Sequence, residues 1–578
     1  MKKIIALLLV LVMTFGLVAC GGSIGKQNIA GSNKYPDARY DDAAFGSDEW
    51  DGTLPIVTDN KVLTLGLHAK AATLDYETNA YTLWLEEQTG YDIQFQLFSG
   101  SGADYNTQVS LMMTGNEPLP DMFLDVGGSL NEMGNEGALQ NIAGYLQHQA
   151  YYTTQTLNDY YPDPAERAQV EKNLVTSLRD MESGAIYQMP HMYGNKNDTL
   201  LAQTVINIEW LEKVGKKMPT TVDELYDVLV AFRDSDPNGN GKPDEIPMFG
   251  RDTEVTQNIV SWVINAYTLF HFAYKVAVDD NGQVYAPFLT DEYREAMKFL
   301  NKLVDEGLLS DMTFTATFAD VAAVLNPAEG EDYTVGITAA MTDSNFNVGG
   351  ESIYKYEPLP PLKDAGYGKG GYAPTWVPTL MSGNVITRDC EDVQSAFRFM
   401  DFLNSHESFI RCRWGVKGEN WEYCTAEEGK GKGNFGGDAK IKILKPVDLG
   451  QPQNVLWTRA ATMTNEQYWQ LLVDGSDPWT AEMYEDLGQQ IEYANAAGVP
   501  DNYFQLYDRT AEENEIFLEY NSELNELLRS SIAEFATGIR NPNDDGDWAD
   551  YVNEFKKLHV EECWIEIAQA TVDRQNGK

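Results

Sequence analysis

Lys61-Val-Leu-Thr-Leu-Gly-Leu67 alternates apolar and polar positions, as does Tyr91-Asp-Ile-Gln-Phe-Gln-Leu97. Side chains of a strand point to opposite faces in turn, so each run predicts a strand with one buried face. Thr78 to Gly90 and Tyr105 to Thr114 carry helical spacing, and Asp121-Met-Phe-Leu124 predicts a short buried strand. The β-α-β-α-β order points to an α/β fold with a mainly parallel sheet covered by helices. In such sheets ligands meet the loops that follow the strand C-termini. Here those loops hold His68, Lys70 and Asp125.

A second α/β region follows. Thr221-Val-Asp-Glu224 predicts a capping box, in which a hydroxyl and a carboxylate satisfy exposed helix N–H groups. Leu225, Val228, Leu229 and Phe232 then share one helical face. Helices are also predicted from Asp291 to Glu306 and from Asp392 to Asn404. Thr334-Val-Gly-Ile-Thr338 predicts a strand that returns to the first sheet. The Gly/Pro-rich stretches 357–382 and 425–437 read as loops. The C-terminal third is mostly helical, with Leu524, Leu527, Leu528, Ile532 and Phe535 on one helix and Gly538 as its stop. No internal repeat is visible.

Upstream, Lys2 and Lys3 precede an apolar run from Ile4 to Gly16, too short for an ordinary transmembrane helix. Leu17-Val18-Ala19-Cys20 then reads as a lipobox. Residues 1–19 are therefore expected to be a signal peptide, with Cys20 the lipidated N-terminus of the mature chain. That places the protein at the extracellular face of the cytoplasmic membrane, anchored by lipid. Residues 20–55, rich in Gly, Ser, Asn and Asp up to about Asp51, read as a flexible tether.

The charge sum is 42 − 88 = −46. No basic groove forms against that field, so nucleic acid is excluded as a partner and highly anionic ligands are disfavoured. Cys390, Cys412, Cys424 and Cys563 form no CxxC pair, and the chain has no HExxH, so zinc chemistry lacks support. Cys412 and Cys424 are close enough in sequence for a local disulfide; ordinary buried thiols fit as well.

One motif is chemically sharp: Asp234-Ser-Asp-Pro-Asn-Gly-Asn-Gly-Lys-Pro-Asp-Glu-Ile-Pro247. Oxygen donors recur at Asp236, Asn238, Asn240 and Asp244, with Gly241 where a calcium loop turns sharply and Lys242 offering its carbonyl. An EF-hand loop ends in a bidentate Glu; here Pro247 holds that place and Glu245 is the replacement. This spacing predicts a structural Ca²⁺ that staples a long loop.

Together these features resemble the extracellular solute-binding proteins, family 1, of ABC sugar importers. The nearest likeness is to the long oligosaccharide-binding and LplA-like lipoproteins of Gram-positive bacteria. Its marks are the Cys20 lipobox, the 236–247 loop, Ala396-Phe-Arg-Phe-Met-Asp-Phe-Leu-Asn-Ser-His-Glu407, and Phe535-Ala-Thr-Gly-Ile-Arg540 followed by Trp548-Ala-Asp-Tyr-Val-Asn-Glu-Phe-Lys-Lys-Leu558. The resemblance implies a two-lobed, hinge-connected, periplasmic-binding-protein-like fold of type II, with sugar bound between the lobes and handed to a permease. It also implies Asp236, Asn238, Asn240, Lys242 (carbonyl), Asp244 and Glu245 as calcium ligands. Residues 56–186 with 318–415 are expected to form lobe 1, and 187–317 with 416–578 lobe 2, in a protein that acts as a monomer.

Sugar sites stack an aromatic ring on the apolar face of a pyranose, with polar groups around its edge. Trp84, Trp210 and Trp564 lie in helical patterns and read as core. Trp376 and Trp457 sit in irregular polar stretches, and Trp262 follows the calcium loop, so these three are the expected stackers. Arg459, Asp125, Tyr193, Arg251 and Asp252 are the expected hydrogen-bonding partners. The resulting expectation is a non-catalytic binder of an oligosaccharide. A surface glycan-degrading enzyme, or a peptide- or signal-sensing lipoprotein on the same fold, remains the alternative at this stage.

Overall fold

The computed structural model describes residues 33–40, 45–115, 117–190, 203–252, 258–270, 275–340, 345–347, 349–363, 381–433, 437–447, 451–457, 472, 478–497 and 509–575. Two sheets organise them. The first has the spatial order β2-β1-β3-β11-β4, with β1 Val62–His68, β2 Asp92–Phe98, β3 Met122–Phe123, β4 Gln188–Pro190 and β11 Met381–Ile386. β1 runs parallel to β2 and β3, whereas β11 is antiparallel to both β3 and β4. The second sheet has the order β10-β5-β9-β6, with β5 Gln203–Asn207, β6 Ile246–Phe249, β9 Val335–Ala340 and β10 Tyr356–Pro358. Two small antiparallel ribbons complete the strands: β7 Ala277–Val278 with β8 Val284–Tyr285, and β12 Trp421–Tyr423 with β13 Ile441–Ile443.

The chain passes from the first sheet to the second between Pro190 and Gln203, and returns between Pro358 and Met381. A late strand inserted among early ones is the signature of two lobes that share crossing segments. This is the two-lobed α/β architecture of type II binding proteins.

Local sequence explains the helices around the first sheet. α1 (Ala80–Thr89) starts at Asn79, whose side chain accepts from the Tyr81 N–H, and stops at Gly90 with φ 80°. α2 (Gly102–Thr114) begins earlier than its apolar period suggests, because Ser101 and Asp104 form a reciprocal capping box. α3 (Tyr151–Tyr160), α7 (Val393–Leu403) and α8 (His406–Trp414) cover the same lobe. Its core joins Leu63, Leu65, Ile93 and Met122 from the strands to Leu85, Phe397 and Met400 from the helices. Each such side chain contributes roughly 1.5–3 kcal/mol when removed from water.

Around the second sheet, α4 (Val222–Asp234) is capped by Thr221, whose hydroxyl accepts from the Glu224 N–H. The Glu224 carboxylate reaches one residue further than expected, to the Thr220 N–H and hydroxyl at 2.8 and 2.9 Å. α5 (Ile259–Ile264), α6 (Asp291–Asp305), α9 (Pro478–Ala497), α10 (Ala511–Ala536) and α11 (Asp545–Lys557) follow. Leu524, Leu528, Ile532 and Phe535 of α10 enter the core with Leu300 of α6 and Tyr551 of α11.

Two expectations are corrected. The strand at 334–338 forms, but β9 pairs with β5 and β6 in the second sheet, so the return to the first sheet is made by β11 instead. Apolar alternation marks a strand without naming its neighbour, and only tertiary pairing decides that. The span 318–415 is consequently divided between the sheets, and Gln188–Pro190 joins the first. Second, the tether ends early: residues 33–40 and 45–57 are a strap on lobe 1. Tyr40 is 0 % exposed, and Phe45 and Trp50 are also buried. Widely spaced aromatics supply the burial that the surrounding Gly, Ser and Asp residues conceal in a composition reading. Of the two alternatives left open for Cys412 and Cys424, the structure shows no disulfide between them. Among the described residues, no helix is long and apolar enough to cross a membrane.

Candidate functional site

A cavity of about 340 Å³ opens at the C-terminal ends of β1 and β3. His68, Lys70, Tyr105, Asn106, Asp125 and Gln188 are among its lining residues. Its size falls at the lower end of the roughly 300–1,000 Å³ typical of small-molecule sites. A second, more open hollow of about 590 Å³ shares Asn106, Gly127 and Gly128 with it and runs along α2 to Thr114. The strand-end loops read from the sequence thus form the walls of one site.

The backbone there is tightly specified. Asp125 has φ 58°, a left-handed conformation that Asp tolerates better than most residues. Its N–H donates to the Asn384 side chain at 3.1 Å, and the Val126 N–H donates to the Gly383 carbonyl at 3.0 Å. Gly383 has φ 66°, and a Cβ there would lie 2.3 Å from the Val126 carbonyl oxygen, so only glycine lets β11 approach this loop. The Asn106 side-chain oxygen accepts from the Gly127 N–H at 2.8 Å. Tyr105, almost fully buried, donates to the Leu124 carbonyl at 2.8 Å. Burial holds its hydroxyl far above the ordinary phenol range, so it stays neutral. The wall therefore mixes apolar surface with a few fixed polar groups and is preorganised.

At the corresponding end of β6 in the second sheet lie Arg251 and Asp252, both buried. Burial pushes the Asp252 carboxyl up to about 6, while the charges of Arg529 and Arg251 oppose that rise. The Asn258 side chain donates to the Asp252 carbonyl at 2.8 Å and caps α5 by accepting from the Ser261 N–H.

The other expected ligand residues fare differently. Trp457 is buried in the lobe 1 core. Its indole N–H donates to the Thr82 hydroxyl at 2.8 Å, and Tyr81 and Phe95 meet it edge to face at 4.9 and 5.5 Å. Trp262 is equally buried, inside α5. Both are packed as core rather than presented to the cavity, because irregular local sequence says nothing of what folds over a ring from elsewhere in the chain. Trp376, Tyr193 and Arg459 lie outside the described residues. The wall residues Tyr105, Asn106 and Gln188 were missed, although the first two open the helix after a strand-end loop, a signal that was available.

The 236–245 loop joins α4 to β6 and folds around its own oxygens. The two Asp236 oxygens accept from the N–H groups of Gly239, Asn240 and Gly241 at 2.8–3.1 Å. The Asn238 and Asn240 amides donate to Asp244, and Asn240 also reaches Asp332 at 3.0 Å. The Glu245 Oε1 atom is buried and has no hydrogen-bond partner. Burial raises its carboxyl, and the nearby Asp244 and Asp236 charges raise it further. An orphaned carboxylate oxygen beside two more acids fits a hard cation. Against that, no group of three or more His, Cys, Asp or Glu among the described residues is arranged to hold a metal. The oxygens are turned to N–H donors here.

Fold and cavity together describe a two-lobed α/β protein with a small-molecule-sized site at the strand ends of its first sheet. No family model matches the chain. Over 503 residues, 85 % of this chain and 86 % of its relative, it is 23 % identical to the fructooligosaccharide ABC transporter substrate-binding protein FusA of Streptococcus pneumoniae. It is 27 % identical over 346 residues to lipoprotein LipO of Bacillus subtilis, which spans 58 % of this chain and 63 % of that one. Among solved structures, FusA in complex with kestose superposes with a TM-score of 0.66 at 20 % identity, covering 90 % of this chain and 100 % of the other. An EF-hand mutant of FusA in complex with fructo-nystose gives the same values. An HMO-binding, ABC-transporter-associated solute-binding protein of Bifidobacterium longum infantis reaches a TM-score of 0.68 at 18 % identity, covering 89 % and 99 %. The chain is thus similar along most of its length to a substrate-binding protein of an ABC transporter, and it shares the fold of such proteins.

Proposed function

We propose that this protein is the lipid-anchored substrate-binding component of an ABC sugar importer, which captures a neutral oligosaccharide between its lobes and passes it unaltered to the permease. The observation that carries this reading is the preorganised cavity at the C-terminal ends of β1 and β3, apolar in most of its surface with a few fixed polar groups. That is where open α/β sheets receive ligands. The fructooligosaccharide-binding relative and the kestose-bound neighbour support sugar as the ligand class. In this reading Asp125 accepts from sugar hydroxyls in lobe 1, and Arg251 and Asp252 meet the sugar from lobe 2 as the lobes close. Trp376, Tyr193 and Arg459 remain the candidates for the rest of the contact.

A structural Ca²⁺ in the 236–245 loop belongs to the same proposal. Asp236, Asn238, Asn240, Asp244, Glu245 and the Lys242 carbonyl would hold it, releasing the N–H groups that now share those oxygens. The orphaned Glu245 oxygen and the EF-hand motif of FusA support it. Cys20 carries the lipid, and Cys20→Ala should release the protein from membranes or block its processing.

A thermal-shift screen of the soluble protein against a neutral-oligosaccharide panel containing kestose tests the function. A stabilising sugar recovered intact is the expected result. Peptide binding without sugar binding overturns the reading, and shortened sugars would make the protein an enzyme.

A further inference from the structure

The cavity at the strand ends does not stop at α2. The more open hollow of about 590 Å³ continues from it, and Asn106, Gly127 and Gly128 belong to both walls. On its α2 side the hollow is lined by Asn106, Thr107, Ser110, Leu111 and Thr114, so no ionisable side chain lines it. A helix rises about 1.5 Å per residue, so the hollow runs about 12 Å from Asn106 to Thr114, longer than one sugar ring.

Hydrogen-bond directions on this face are determined. The Asn106 side-chain oxygen accepts from the Gly127 N–H at 2.8 Å, which fixes the amide and turns its NH2 group into the donor at the junction of the two spaces. The Ser110 hydroxyl donates to the Asn106 carbonyl at 2.8 Å, and the Thr114 hydroxyl donates to the Ser110 carbonyl at 3.0 Å. Their hydrogens are spent on the helix, so toward a ligand both oxygens act as acceptors. Leu111, between them in sequence, is 67 % exposed. An apolar patch edged by neutral donors and acceptors matches the apolar face and hydroxyl rim of a sugar ring. The far end of the helix is held in place as well: Arg388, two residues beyond β11, donates to the Met113 and Gly115 carbonyls at 2.7 and 2.9 Å.

We propose that the hollow along α2 is an outer subsite of the cavity, in which the chain leaving the cavity lies across Leu111 and takes a hydrogen bond from the Asn106 amide, so that the ligand is an uncharged oligosaccharide long enough to fill both spaces. This rests on the sugar-binding reading above and adds the length of the ligand and the path it takes. The cavity alone lies at the lower end of small-molecule sites, so an oligosaccharide extends beyond it. Continuity at Asn106, Gly127 and Gly128 makes the hollow its way out. A uronic-acid chain is disfavoured here, because the wall offers its carboxylates no cation and the net charge of −46 repels them. A protein surface docked on Leu111 is the competing occupant, and it would leave sugar affinity indifferent to Leu111.

Calorimetry with a homologous series of neutral oligosaccharides, from disaccharide to hexasaccharide in the linkage of the tightest panel binder, tests this. Wild-type affinity is expected to rise about tenfold along the series, as a further hydrogen bond and an apolar contact are made. In Leu111→Ser the gain should fall to about twofold or less, since the apolar contact is lost. Asn106→Asp keeps the acceptor for the Gly127 N–H but has no donor for the sugar, so the longest sugar should bind about tenfold more weakly. The gain should be the same at about pH 5.5 and about pH 8, because no lining side chain titrates. A uronic-acid series should show no gain. Affinity that is flat with length, a Leu111→Ser variant that keeps the full gain, an Asn106→Asp variant that binds like wild type, or an equal gain with uronic acids overturns the outer subsite and leaves the sugar reading standing. Absence of binding by every sugar overturns both. Melting curves confirm that each variant is folded; if Asn106→Asp is not, Leu111→Ser at its exposed position decides.

Discussion

Asp401 of α7 caps α3 through Thr153: its Oδ1 accepts from the Thr153 hydroxyl at 2.6 Å and from the Thr153 N–H at 3.0 Å. Its other oxygen accepts from the Tyr152 N–H at 2.8 Å. Ala150, at the N-cap of α3, has no side chain to do this. A residue about 250 positions away therefore supplies the missing acceptor, and Asp401 is 0 % exposed. Asp401→Ala should cost about 3 kcal/mol, because buried N–H groups lose their partners. Asp401→Asn should cost less. Denaturation curves give the cost, and faster amide exchange over 151–160 locates it; an undisturbed α3 would show that the cap is dispensable.

Asp486 sits on the buried face of α9 with Trp479, Met483 and Gln490. Burial first, then the charges of Glu482, Glu357 and Glu485, push its carboxyl up to about 8. Neither polar atom of the Gln490 side chain has a hydrogen-bond partner. An unfolded Asp titrates near pH 3.9. Between those pH values the folded state keeps a proton that the unfolded state has released, so Asp486 by itself costs no stability below about pH 4, lowers stability as pH rises from there, and adds no further loss above about pH 8. Asp486→Asn should remove the decline, gaining on the order of 2 kcal/mol at pH 8 and almost nothing near pH 4. Thermal melts at both pH values, with amide exchange over 478–497, check the sign.

Trp457→Ala should behave as a core cavity. The loss of the ring between Tyr81 and Phe95, and of its bond to Thr82, should cost about 3–5 kcal/mol. Sugar affinity per folded molecule should stay close to wild type. A weakened affinity at unchanged melting temperature would restore Trp457 as a stacker.

Chelation should lower the melting temperature, and added Ca²⁺ should restore it by a few kcal/mol at saturating metal, on the order of RT ln(1 + [L]/Kd). Asp236→Ala and Glu245→Gln should each blunt the response. Indifference to chelator, with no metal found by elemental analysis, would leave the loop as a self-bonded turn.

Much of the fold was legible where the deciding interactions are local. Alternation identified β1 and β2, the apolar spacing identified α4 and α10, and Gly90 and Gly538 marked helix ends by their left-handed backbone. The strand-end rule located the cavity wall at His68, Lys70 and Asp125 from sequence order alone. The oxygen spacing from Asp236 to Glu245 was legible as a calcium loop, whereas the turning of the Asp236 oxygens to the Gly239 and Gly241 N–H groups was not.

What the sequence by itself determined was the set of elements, their helix or strand character, and the polar loops between them, because period and capping act over one or two turns. Tertiary structure alone decided which sheet received β9, that residues 33–40 and 45–57 pack rather than dangle, and that Trp457 and Trp262 are core. It also decided that His68, two residues from Lys70, takes its second partner from Gly100. Strand pairing and burial depend on surfaces brought together from distant positions, and a neighbour's identity leaves no mark in the local period of either partner.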